Sequence, residues 1–245
     1  MSRIDNRWYD DLADSWWDRD GPVAALHEVN PVRGGYFLDV LGLETGEGAR
    51  PRILDLGCGG GLMAEIYAGA GALTVGIDPS RQSLQAARRH QCQIANPIYL
   101  AGRGEELPFA DATFDAVCAA DSLEHVAQLE RVLDECVRVL RPGGRFVFDT
   151  INRTFRSRLV MIWAAQNWLR LAPPHTHAYD AFIRPDELRS ALERRGMRWG
   201  ELRGLSFRQS ALRAGWSYWR TRRLGGFRLT DDTGISYLGY AEKPR

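Results

Sequence analysis

The chain has 245 residues, 44% of them apolar, which is enough to bury one sizeable core within a single α/β domain. Its 32 basic and 31 acidic side chains leave a net charge of +1, which excludes a strong global field for nucleic acid and makes a small molecule the expected partner. Lys243 is the one lysine, so any catalytic base is of another type, and Cys58, Cys92, Cys118 and Cys136 form neither a CxxC pair nor a disulfide framework, as expected in a reducing cytoplasm.

Residues 1–17 carry charges throughout and have no signal-peptide core. Nor does any run approach the roughly 18 apolar residues of a spanning helix. We expect one domain over 1–245: an N-terminal helical extension or cap (1–50), a ligand-binding core (51–151), an insertion (152–184), and a C-terminal helix with a hairpin (185–245). Within the core, apolar runs at Arg52–Leu56, Leu73–Ile77, Pro97–Leu100, Phe114–Ala119 and Arg145–Asp149 alternate with helical stripes at Leu62–Ala70, Ser80–His90 and Leu129–Leu140. Such alternation predicts a Rossmann-like parallel sheet with helices on both faces. Arg141 to Gly144 (RPGG) stop the last helix. Pro185 opens a further helix, and Glu201–Phe207 with Ile235–Ala241 predict a terminal antiparallel hairpin across a long excursion, seven strands in all.

The run from Asp55 to Gly61 (DLGCGGG) ends the first strand in a carboxylate and continues in glycines that admit a ligand close to the backbone. Charge separates the ligands such a turn can hold. A dinucleotide pyrophosphate at the helix N-terminus would be repelled by Asp55, whereas the ammonium and sulfonium of S-adenosylmethionine would be attracted. Asp78, 23 positions on, ends the second strand where an acidic side chain reaches ribose hydroxyls. The segment Glu105–Phe109 lies where the third strand gives way to the fourth and is placed to wall the adenine. A plainer reading remains, in which the glycines serve only a tight turn and Asp78 caps a helix before Pro79.

Several motifs are more particular: Ser15–Asp18 (SWWD), Leu26–Arg33 (LHEVNPVR), the glycine turn, Leu123–Val126 (LEHV) and Phe182–Pro185 (FIRP). Through them most of the chain resembles class I methyltransferases that use S-adenosylmethionine, and among these the bacterial O-methyltransferases of ubiquinone biosynthesis. The resemblance implies cofactor contacts from Arg33, Gly57, Asp78 and Ala120, Arg33 reading the methionine carboxylate. With the turn, the expected cofactor set is Arg33, Asp55, Gly57, Cys58, Gly59, Asp78, Pro79, Glu105 and Ala120. It further implies methylation of a catechol-like hydroxyl on a prenylated quinone precursor.

Asp121, Glu124 and His125 follow the fourth strand, at the edge where open parallel sheets bind ligands, and are the expected catalytic group. Two devices are open for making a phenol nucleophilic. His125 is a general base in one; in the other Asp121, Glu124 and His125 hold Mg2+ or another divalent ion on both catechol oxygens. The resemblance favours the ion, although the family typically has glutamate where Asp121 stands. Trp17, His177 and Tyr179 are expected at the aromatic acceptor. From Ser157 to Leu171 arginines border apolar residues and tryptophans, which suits either a peripheral helix at the inner membrane face or a lid packed on the core. Other readings are a tailoring methyltransferase of another small aromatic or amine metabolite, and a protein that binds S-adenosylmethionine without turning it over.

Overall fold

Strands β1 (Arg52–Leu56), β2 (Leu73–Asp78), β3 (Ile98–Ala101), β4 (Phe114–Ala120) and β5 (Leu140–Ile151) pair in parallel in the order β3-β2-β1-β4-β5. This is a computed structural model, and it describes residues 7–43, 50–91, 96–168, 178–221 and 223–245. β1 reads Arg-Ile-Leu-Asp-Leu and is buried from its second residue onward, as a strand covered on both faces must be. Helices α3 (Leu62–Gly69) and α4 (Arg81–His90) carry the crossovers to β2 and β3, and α5 (Leu129–Val139) leads into β5. Ser80 caps α4, its hydroxyl accepting from the Ser83 amide at 3.1 Å.

The sheet continues beyond β5 through β8 (Ser236–Glu242), β6 (Arg198–Phe207) and β7 (Phe227–Thr230), each pair antiparallel. The hairpin expected from Glu201–Phe207 and Ile235–Ala241 is therefore present as β6 against β8. Seven strands become eight, because the excursion between them holds helix α8 (Ala211–Thr221) and the four-residue β7, too short for its period to show. Residues Arg141–Gly144 turn within β5 instead of preceding it: pairing with β4 resumes after a register shift, Phe114 opposite Leu140 and Ala116 opposite Arg145.

Two apolar layers flank the sheet. On one side Val117 and Ala119 of β4 meet α5 and α7 (Pro185–Glu193) through Val132, Leu133 and Leu188. On the other, Ala116 and Cys118 meet Phe37 of α2 (Ala24–Leu41) and Met63 and Tyr67 of α3, the alternation that a period of two requires. Helix α1 (Arg7–Leu12) and the 3-10 turn Ala13–Trp17 rest on α4, where the Trp16 indole donates to Ser83 Oγ at 3.0 Å and that hydroxyl donates to the Tyr9 carbonyl at 2.9 Å. α6 opens at Phe155–Ser157 and continues as a π-helical stretch, Arg158–Trp168.

Phe148 sits at the centre of this packing, fully buried among the rings of Phe146, Trp199 and Tyr237. Phe148→Ala removes a ring that no neighbour can replace. It is expected to cost about 3–5 kcal/mol, read as a lowered urea midpoint at unchanged slope.

Candidate active site

The strand order reverses between β1 and β4, and there the carboxyl-terminal edge of the sheet opens into a cavity of about 1120 Å3. Ordinary small-ligand clefts span roughly 300–1,000 Å3, so there is room for a nucleoside cofactor and an acceptor together. After β1, the Gly57 and Cys58 amides donate to the Ile77 carbonyl at 2.8 and 3.2 Å, folding the turn over the tip of β2. Gly57 has φ +71°, and a Cβ there would stand 2.6 Å from the Ser122 Cβ; a Cβ at Gly59 (φ +50°) would meet the Trp16 ring at 2.5 Å. Neither position admits a side chain.

Two carboxylates face this turn. Asp55 is 1% exposed, and its Oδ2 has no hydrogen-bond partner among the described residues. Burial, then the neighbouring charge of Asp78, pushes its carboxyl up to about 7. Asp78 accepts from the Gly59 amide at 2.9 Å and from the Ser80 amide at 2.8 Å, and burial raises it too. Asp78 thus orders the glycine turn with part of each oxygen's capacity and caps the following chain as well. A buried, unpartnered carboxylate oxygen beside a cavity is costly alone and fits a cationic group. The pair would repel a pyrophosphate, so an ammonium-bearing nucleoside such as S-adenosylmethionine fits the residues present. Cys58, Pro79, Glu105 and Ala120 also line the cavity.

Beyond β4 the backbone of Asp121 is left-handed (φ 46°), held by its amide's bond to Asp149 Oδ1 at 2.8 Å. Arg33, on α2 and 3% exposed, pairs with Asp121 and lies 3.1 Å from Asp149 Oδ2. Burial opposes its charge, but Asp121 and Asp149 outweigh it and raise its pKa further. Asp149 itself is held well above the usual carboxylate range, by burial against the pull of Arg33. Asp149 and Tyr9 escaped the sequence reading. The tip position of Asp149 on a buried strand, the signal that marked Asp78, was available for it.

His125 lines the cavity, with Nε2 3.3 Å from the Tyr9 hydroxyl and the two rings edge to face. Glu124 does not line it. The Glu124 side chain turns into the core, 2% exposed, where Oε2 accepts from Thr150 Oγ1 at 2.8 Å and burial, with Asp121, raises its pKa strongly. The three proposed metal ligands therefore do not converge: Asp121 is engaged by Arg33, Glu124 is bonded away, and no group of three such side chains is assembled among the described residues. These residues do not fit a divalent ion.

The expected acceptor contacts fall elsewhere. Trp17 donates to the Gly60 carbonyl at 3.0 Å and stacks on His90, while its neighbour Trp16 lines the cavity, since adjacent residues of a helical turn cannot share a face. Tyr179 packs on Phe182 beneath the Arg158 guanidinium, also outside the cavity. His177 lies outside the described residues.

A family model described as a methyltransferase domain matches residues 54–148. Solved structures share the fold at low identity. A possible histamine N-methyltransferase from Thermotoga maritima superposes with a TM-score of 0.65 at 16% identity, covering 96% of this chain and 98% of its own. A methyltransferase from Aquifex aeolicus gives 0.61 at 16%, over 98% and 99%. Fold, glycine turn and acidic cradle together define an S-adenosylmethionine-dependent methyltransferase. Over almost its whole length the chain is similar to proteins named ubiquinone biosynthesis O-methyltransferase. The one from Rhizobium etli is 36% identical over 95% of this chain and 92% of its own, and that from Alkalilimnicola ehrlichii 37% over 95% and 88%. The chain belongs to the ubiquinone biosynthesis O-methyltransferase family.

Asp55 carries a pH prediction. Its folded pKa, about 7, lies above the ordinary 3.8, so the stability it contributes is complete only below about pH 3.8 and is lost progressively as pH rises through 7. Cofactor binding runs oppositely, because the ammonium prefers the ionised carboxylate. Calorimetry with S-adenosylhomocysteine should show affinity rising from about pH 6 to 8, and Asp55→Asn should weaken it about 10–100-fold and flatten that rise.

Proposed function

We propose that the chain transfers a methyl group from S-adenosylmethionine to a phenolic oxygen of a catechol-like ring bearing a prenyl tail, within ubiquinone biosynthesis. The names of its relatives support the reaction and the pathway. A single observation carries the tail: besides the glycine turn and His125, the cavity is lined by Ile151, Leu205, Phe207, Phe227 and Ile235, with Ser206 and Ser236 among them, and by Val160 and Met161 of α6. An apolar channel of that extent suits a long hydrocarbon better than a small polar metabolite.

When bound, the cofactor supplies an electrophilic sulfonium methyl. As the acceptor oxygen is methylated, His125 Nε2 would take the phenolic proton and become an imidazolium, with a methyl ether and S-adenosylhomocysteine as products. Asp55 would hold the cationic end and Asp78 the ribose hydroxyls, and the Arg33 network keeps Asp121 in place at the end of β4.

His125→Gln keeps the size and a hydrogen-bonding end but cannot take the proton. It should lower kcat about 10²–10⁴-fold and leave S-adenosylhomocysteine affinity within about twofold. The same assay should show prenylated catechols turned over with a lower KM than unprenylated ones; faster turnover of the short acceptors would instead support a tailoring methyltransferase.

We further propose that the chain works as a peripheral protein at the inner membrane face. Phe155, Leu159 and Trp163 project to solvent, Trp163 65% exposed, next to Arg153, Arg156 and Arg158, while Val160 and Met161 of the same helix line the channel. Among the described residues no helix is long and apolar enough to cross a membrane. Liposomes containing anionic lipid should co-sediment the protein at low salt, and Trp163→Ala should reduce the bound fraction several-fold; no binding at low salt removes the membrane role.

A further inference from the structure

Where the chain returns from α8, residues Leu224–Phe227 form one wall of the acceptor channel, Leu224 and Phe227 lining it directly. This wall is a loop, with Gly225 at φ +83° and Gly226 at φ +84°, left-handed values that favour glycine. The amides of Leu224 and Gly226 both donate to Glu28, at 2.7 Å to Oε1 and 2.9 Å to Oε2. Glu28 stands on α2, five residues before Arg33 and nearly 200 residues from the loop in sequence, and it does not line the cavity itself. On the other side the loop is tied to the end of β6: the Arg208 amide donates to the Gly226 carbonyl at 3.0 Å and Gln209 Nε2 to the Leu224 carbonyl at 3.0 Å. A second link from the N-terminal half, Arg223 to Asp20 at 3.1 Å, is exposed at both ends and screened by solvent.

We propose that Glu28 is a positioning residue for acceptor specificity: by accepting from two amides of the 224–227 loop, it fixes that channel wall against α2 and so sets the affinity for acceptors with an apolar tail. The inference rests on the tailed-acceptor reading above. A carboxylate held by two backbone amides makes charge-assisted bonds, and it joins the helix that carries Arg33 to the loop that would touch the tail. The ring to be methylated lies by His125 and does not need this wall. The tail does.

Glu28→Gln, nearly the same shape without the charge, and Glu28→Asp, charged but one methylene shorter, are the variants to compare with wild type. For both, KM for a prenylated catechol should rise about tenfold while KM for an unprenylated catechol, kcat and S-adenosylhomocysteine affinity stay within about twofold. Hydrogen exchange should independently show the Leu224 and Gly226 amides losing protection, with circular dichroism reporting retained fold. An equal rise in KM for both acceptors, or amides that stay protected, overturns the inference. If wild type shows no preference for the prenylated acceptor, the functional reading fails instead, and exchange at the two amides still decides whether Glu28 holds the loop.

Discussion

The active edge depends on one buried guanidinium. Arg33 leaves α2, passes under the cavity and pairs with Asp121 and Asp149 at the tips of adjacent strands. Taking Arg33 and Asp149 from water is costly, and pairing with each other and with the half-buried Asp121 offsets that cost. Removing one partner would leave an uncompensated charge, typically about 3–5 kcal/mol of destabilisation. The network therefore locks helix to sheet and holds Asp121 in a left-handed backbone conformation. It also explains why an acid that reads as a metal ligand in the sequence is, in the fold, the counterion of an arginine.

Charge and apolarity divide the cavity between them. Near β1 and β2 the ligand meets Asp55 and Asp78 in a low-dielectric pocket, where unlike charge is strongly favoured and like charge excluded. Toward β6, β7 and β8 the walls become mainly leucine, isoleucine and phenylalanine, with Ser206 and Ser236 among them. Both halves lie on one edge because β6 runs with the parallel strands while β8 fills the gap between it and β5, so the ends of β5 and β6 and the starts of β7 and β8 come out together.

Burial separates the catalytic candidates. Glu124 and His125 are neighbours in a short 3-10 turn, so one must face inward when the other faces the cavity. The inward one finds Thr150 and the core, the outward one the Tyr9 hydroxyl. Trp16 and Trp17 divide in the same way, Trp16 lining the cavity against the glycine turn and Trp17 stacking outside it on His90 while donating to the Gly60 carbonyl.

Local chemistry sufficed for the parallel core: unbroken apolar runs make doubly covered strands, Ser80 and Pro185 open helices, and carboxylates at strand tips beside glycines select a cationic ligand. Those properties depend on residues a few positions apart and are written in order along the chain. Which residue of a catalytic pair faces the cavity, that Asp121 belongs to Arg33, and that Glu28 meets a loop nearly 200 residues away were decided only by the tertiary structure. Such contacts join segments whose sequences bear no trace of one another, and they exist only because sheet order and helix packing bring the segments together.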